Sequence, residues 1–241
     1  MIRNMMHSYT CGKRGKAMNR TIWHGSKKII REPIYGFGKI YNDYGLGFYC
    51  TENKELAMEW ACTEDQDGIA NAYRIDFERM NMVNLSEEQY NVLNWLALLT
   101  ENRIFHPTSA VARQGKAYLR DNFLPDVTKA DVIVGYRADD SYFSFAKAFL
   151  NNEISIKQLL YAMQLGKLGE QIVLKSEAAF ECVIFEGYEV ALNQDYYIKK
   201  KERDQQARTM YGVQANIDDI DGLYMRDIIR EKVQSDDIRL R

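Results

Sequence analysis

Trp23-His24-Gly25-Ser26 sets an imidazole at the end of an apolar run, with a glycine directly behind it. A histidine there can hydrogen-bond a sugar hydroxyl. The glycine leaves the backbone open to a ligand amide. In Gly45-Leu46-Gly47-Phe48-Tyr49, two glycines can bring a strand close to a ligand and present Tyr49. Trp60 follows 11 positions later, on what reads as the next helix. Two aromatics so placed can sandwich a flat heterocycle, worth about 0.5–1.5 kcal/mol per ring beyond area burial. Gly169-Glu170-Gln171 adds an acid and an amide at the start of a strand. Side chains alternate along a strand, so Glu170 and Gln171 face opposite ways unless a bulge intervenes. A hydroxyl bound by the amide makes a neutral bond of about 0.5–1.5 kcal/mol, against about 1.5–3 kcal/mol for a charged partner. Arg137-Ala138-Asp139-Asp140 forms a further polar cluster, in which either aspartate can cap a helix, supply an acid or position an acceptor. The set suits a nucleotide with a flat ring and a ribose.

The elements that must hold these residues follow from periodicity. A strand at 21–24 carries His24, and residues 25–47 form a long aperiodic loop, a class that is functional or disordered. A strand at 48–51 leads into a helix at 52–62, capped by Thr51 or Asn53. Alternation predicts a strand at 69–77. Ser86-x-x-Gln89 reads as a capping box for a helix over 86–100, and Pro107 can start a helix running to about 121. A strand at 131–136, a helix at 138–150 and a helix at 155–166 ending in Gly166 come next. Strands at 170–176 and 181–190 are joined by a short turn. Polar helices follow Asn193, and the run Lys199–Arg203 reads as a solvated face. Strands and helices mix without regular βαβ alternation, which predicts an α+β domain over 21–241 behind a basic, flexible N-terminal tail at 1–20.

Composition narrows the classes. The chain has 241 residues, 46% hydrophobic and 27% charged, with a net charge of −2, so nothing in the bulk balance demands nucleic acid or a membrane surface. No apolar run is long enough to suggest a membrane-spanning helix, and the N-terminus lacks the apolar core of a secretory signal. Cys11, Cys50, Cys62 and Cys182 are scattered without a C-x-x-C pair, which fits reduced thiols in a cytoplasm. His7, His24 and His106 are not spaced like a zinc site, so no metal is expected.

The ordered set "WHGS", "GLGFYCTENKELAMEWA" and "GEQIVLKS" resembles the His-Tyr-Glu branch of the ADP-ribosyltransferases, the diphtheria-toxin and poly(ADP-ribose)-polymerase lineage. With "YNDYGLGFY", "NVLNWLALLTENR", "DVIVGYRADDSYF" and "LGKLGEQIVLKSEAAFECVIFEGYEV", the pattern is closer still to a bacterial family, domain of unknown function 3990, over roughly residues 21–235.

The resemblance implies two small antiparallel sheets meeting at an NAD cleft, with helices packed outside. It implies that His24 binds the adenosine ribose, that Gly25 bonds the nicotinamide amide through its backbone, and that Ser26 and Gly47 line the site. Tyr49 would stack on nicotinamide, with Trp60 in place of the second aromatic. Relatives often carry a serine three residues before that aromatic, where this chain has Ala57. Residues 27–44 would cover the donor. The late-strand glutamate of the family aligns with Gln171, with Glu170 adjacent. NAD would serve as donor substrate, with a protein, nucleic-acid or small-molecule acceptor. The setting implied is a toxin or phage-defence effector held by an antitoxin. An NAD-binding sensor and an NAD glycohydrolase are the alternatives.

Overall fold

Alternation within the strands settles which face each residue takes. The computed structural model describes residues 19–138, 140–165 and 169–240; of Asp140 and Ser141 it describes only the backbone. The expectations for the tail at 1–18, for Asp139, for Gly166 and for the Asp140 side chain therefore lie outside the described residues.

β1 (Asn19–Ser26) takes up Asn19 and Arg20, which read as tail from the sequence. It pairs antiparallel with β3 (Gly68–Asp76), and β3 pairs antiparallel with β7 (Ile184–Ala191). The second sheet has the order β2 (Phe48–Cys50), β6 (Glu170–Leu174), β5 (Val132–Tyr136), β4 (Met82–Asn84). Its β4–β5 pair is parallel, so this sheet is mixed, not antiparallel as expected. The sequence reading missed β4, whose three residues are too short to show a period. Trp23 and Thr51 exchange backbone bonds at 2.7 and 3.0 Å and join the two sheets.

Ile22, Phe48, Tyr73, Val132, Val134, Ile172 and Leu174 fill the space between the sheets. Ile133 and Val173, one step out of phase, pack into the larger helical core instead. That core holds α2 (Val92–Asn102), α3 (Ala110–Phe123), α4 (Asp140–Leu150), α5 (Ile156–Gln164) and α8 (Met225–Glu231) against the mixed sheet. α1 (Lys54–Ala61), capped by Asn53, packs across β1 and β3. α7 (Asn193–Ala215) runs beside α1, where Arg203 donates at 2.6 Å to the buried Glu59 carboxylate.

Two boundaries depart from expectation for local reasons. Ser86 does not cap a helix: it sits in the turn after β4 and donates its hydroxyl to Glu170. The helix starts later, at α2, where Asn91 and Asn94 form the reciprocal capping box. The strands expected at 170–176 and 181–190 are not joined by a short turn. A short helix, α6 (Glu177–Glu181), capped by Ser176, carries the chain from the mixed sheet to the other one, so β6 and β7 never pair.

Candidate functional site

A cavity of about 520 Å³ opens where the two sheets meet, and it gathers His24, Tyr49, Trp60 and Gln171 from β1, β2, α1 and β6. His24 stacks on Phe48, with ring centroids 4.3 Å apart. Its Nδ1 lies 2.7 Å from the Tyr49 carbonyl oxygen. A carbonyl only accepts, so Nδ1 carries the proton and the neutral ring keeps Nε2 as an acceptor. Burial lowers the His24 pKa and favours this neutral form, against a smaller opposing effect of the bond to Tyr49.

Gly25 serves packing. A Cβ there would meet the Ala57 carbonyl oxygen at 2.2 Å and the Ala61 nitrogen at 2.9 Å, so the missing side chain lets α1 lie on β1. Gly47 lines the cavity, and its own Cβ would strike Val173 and the Leu174 carbonyl. Ser26 is not among the residues lining the cavity; its hydroxyl accepts from Asn71 at 3.1 Å. Tyr49 is anchored through its hydroxyl, which donates to the Gly45 carbonyl at 2.6 Å and accepts from the Tyr44 N–H at 3.0 Å. Burial pushes its pKa up, so it stays a neutral phenol.

Trp60 does line the cavity, but the Arg137 guanidinium lies 3.8 Å from its ring centre. A heterocycle sandwiched between Tyr49 and Trp60 must displace that cation or stack beside it. The indole Nε1 of Trp60 is buried without a hydrogen-bond partner.

Gln171 faces the cavity and Glu170 does not. β6 pairs with β5 in unbroken register, Gly135 opposite Gln171 and Tyr136 opposite Glu170, so no bulge turns the acid inward. Glu170 lines a separate cavity of about 330 Å³ on the other side of the strand. Gln171 is 4% exposed; its Nε2 donates to Asp43 at 3.1 Å, and its Oε1 has no partner.

Sequence reasoning missed Asp43, the acid that lines this cavity. Its Oδ2 accepts from the Ala138 N–H at 2.9 Å, and its Oδ1 lies 3.6 Å from Arg103. Burial raises its pKa, while the Ala138 N–H, Arg103, Arg137 and Gln171 pull it back. The available signal was an acid directly before the Tyr44-Gly45-Leu46-Gly47 turn. Lys175 pins that turn by donating to the Tyr44 and Leu46 carbonyls at 2.6 and 2.5 Å. Asn71, wholly buried in β3, holds the start of the loop: its Oδ1 accepts from the Ile30 N–H at 2.9 Å.

Arg103, Arg137 and Lys200 add cations to the cavity wall. Lys200 and Arg203 belong to the run read as a solvated face. Lys200 instead reaches the cavity and Arg203 pairs with buried Glu59, because α7 lies beside α1. Among the described residues no group of three or more His, Cys, Asp or Glu could hold a metal ion. None of the described helices is long and apolar enough to cross a membrane.

The family described as protein of unknown function (DUF3990) matches residues 20–185, and the chain belongs to that family. No curated protein and no solved structure matches the chain.

Proposed function

We propose that the protein is an NAD-dependent ADP-ribosyltransferase whose donor lies in the cavity that opens where the two sheets meet. The observation that carries this reading is the convergence there of an acceptor imidazole, two aromatics and Gln171 from four separate elements. Two buried polar atoms of residues that line this cavity, Trp60 Nε1 and Gln171 Oε1, lack partners, which fits a site completed by a polar ligand. Arg103, Arg137 and Lys200 supply the positive wall that a pyrophosphate needs. The cavity volume falls within the roughly 300–1,000 Å³ of small-molecule sites.

In this reading His24 Nε2 accepts from a ribose hydroxyl and Tyr49 packs against the nicotinamide. Gln171 Oε1 accepts from the 2′-hydroxyl of the nicotinamide ribose. The bond between ribose C1′ and the nicotinamide nitrogen breaks, and its electron pair neutralises the departing ring. The acceptor nucleophile bonds to C1′ from the opposite face and gives up its proton to solvent. Orientation and electrostatic stabilisation dominate such a step. A protein or nucleic-acid acceptor in the cytoplasm, and control by an antitoxin, belong to the same proposal.

Gln171 supports a second reading, an NAD-binding module without turnover, because it brings no charge of its own. Incubation with adenine-labelled NAD separates the outcomes. Free nicotinamide with labelled macromolecule means transfer. Nicotinamide with free ADP-ribose means hydrolysis. Bound but intact NAD means the binding module, and no interaction at all overturns the proposal.

A further inference from the structure

We propose that Asp43 and Gln171 act as one acceptor unit, in which the carboxylate holds and polarises the amide so that Gln171 Oε1 receives the hydroxyl of a bound ribose. This role rests on the reading of the cavity as an NAD site. Gln171 is then the catalytic residue and Asp43 the positioning residue.

The orientation follows from chemistry. Asp43 Oδ2 already accepts from the Ala138 N–H at 2.9 Å. An amide turned the other way would set its oxygen against that carboxylate oxygen, acceptor against acceptor. The amide nitrogen therefore faces Asp43 at 3.1 Å, and Oε1 is directed away from it. Oε1 is buried and has no partner. An unfilled buried acceptor is costly, and in a folded protein it calls for a ligand or a water. Both residues line the same cavity.

The carboxylate also changes what the amide is. A negative charge on the N–H side draws the amide toward its charge-separated form and loads electron density onto the oxygen. Gln171 then accepts more like a carboxylate, while the charge itself stays among Arg103, Arg137 and the Ala138 N–H. Oδ1 lies 3.6 Å from Arg103, an ion pair that fixes the acid and opposes its protonation. Two residues far apart in sequence thus together supply the acceptor that Glu170, on the other side of β6, does not.

The test uses the full chain and NAD, reading nicotinamide release and NAD binding. Asp43→Asn keeps the shape and removes the charge. It is expected to lower kcat about tenfold, the difference between a charge-assisted and a neutral bond, with the KM for NAD changed less than about twofold. Gln171→Glu alone is expected to be no faster than wild type, because its new carboxyl would lie against Asp43. Asp43→Asn combined with Gln171→Glu is expected to recover most of the lost kcat. An unchanged kcat in Asp43→Asn, a loss confined to KM, or a double variant no better than Asp43→Asn overturns the role of Asp43. Should Asp43→Asn fail to fold, Gln171→Glu decides: a tenfold gain over wild type overturns the proposal. Wild-type protein that neither binds nor cleaves NAD overturns the NAD reading and this role with it. Wild-type cleavage that does not depend on Asp43 overturns this role alone.

Discussion

Asn71 offers the sharpest check on how the cavity wall is held. Its Oδ1 accepts from the Ile30 N–H at 2.9 Å, and its Nδ2 donates to Ser26 Oγ at 3.1 Å and to the His24 and Lys28 carbonyls at 3.3 Å. Asn71→Ala removes this set. Counting two well-formed bonds at about 1 kcal/mol each gives a loss of about 2 kcal/mol, or about thirtyfold in the unfolding equilibrium. Asn71→Asp keeps the oxygen that Ile30 needs but turns the other donor into an acceptor facing two carbonyls. Ionised, it buries an uncompensated charge, and the cost rises to about 3–5 kcal/mol. Protonated, it regains one donor. Its folded pKa is therefore raised, and its stability is kept at low pH and lost as pH rises through that pKa. Urea unfolding followed by tryptophan fluorescence at pH 5 and pH 8 reads both effects. Asn71→Asp should be less stable than Asn71→Ala at pH 8, and the order should reverse or close at pH 5. Should Asn71→Asp match wild type at pH 8, the network does not hold the loop and the reasoning fails.

Two further outcomes follow from the packing and the buried groups. Gly25→Ala should cost about 1–3 kcal/mol, because its Cβ meets the Ala57 carbonyl at 2.2 Å; a urea midpoint equal to wild type would show that α1 can shift freely. The pH dependence has two opposing parts. His24, with its pKa lowered, contributes stability above about pH 6.5 that is lost as pH falls through the folded pKa. Asp43, with its pKa raised, contributes stability below about pH 3.9 that is lost as pH rises through its folded pKa. His24→Gln should therefore lose less stability than wild type on acidification from pH 7, and Asp43→Asn should gain on wild type between pH 4 and 7. Parallel midpoint curves for wild type and both variants would contradict these assignments.

Strand alternation made much of the site legible. Gln171 inward and Glu170 outward follow from the phase of β6, as does the placement of Tyr49 on the same side of the mixed sheet as Val173, its register partner. The three-residue β4 and the mixed character of its sheet carry no periodic signal. Asp43 was hidden because it lies in an aperiodic loop, where burial depends on what Lys175 and Asn102 do from distant elements. Asn71 did leave a trace, a polar residue inside the apolar alternation of 69–77. Lys200 and Arg203 looked solvated because a charged helix shows nothing of the helix beside it, and only the packing of α7 beside α1 turns them inward. Arg137 shows in the sequence only as part of the polar cluster 137–140, and its stacking on Trp60 joins residues that no local pattern links.

Calorimetric titration of the full chain with NAD reads the donor site itself. An NAD cleft at His24 predicts one site per chain, weakened at least about tenfold by His24→Ala, the scale of a lost hydrogen bond to a buried group, and unchanged by Glu170→Ala on the far side of β6. Absence of binding, or binding that Glu170→Ala weakens and His24→Ala leaves intact, contradicts it.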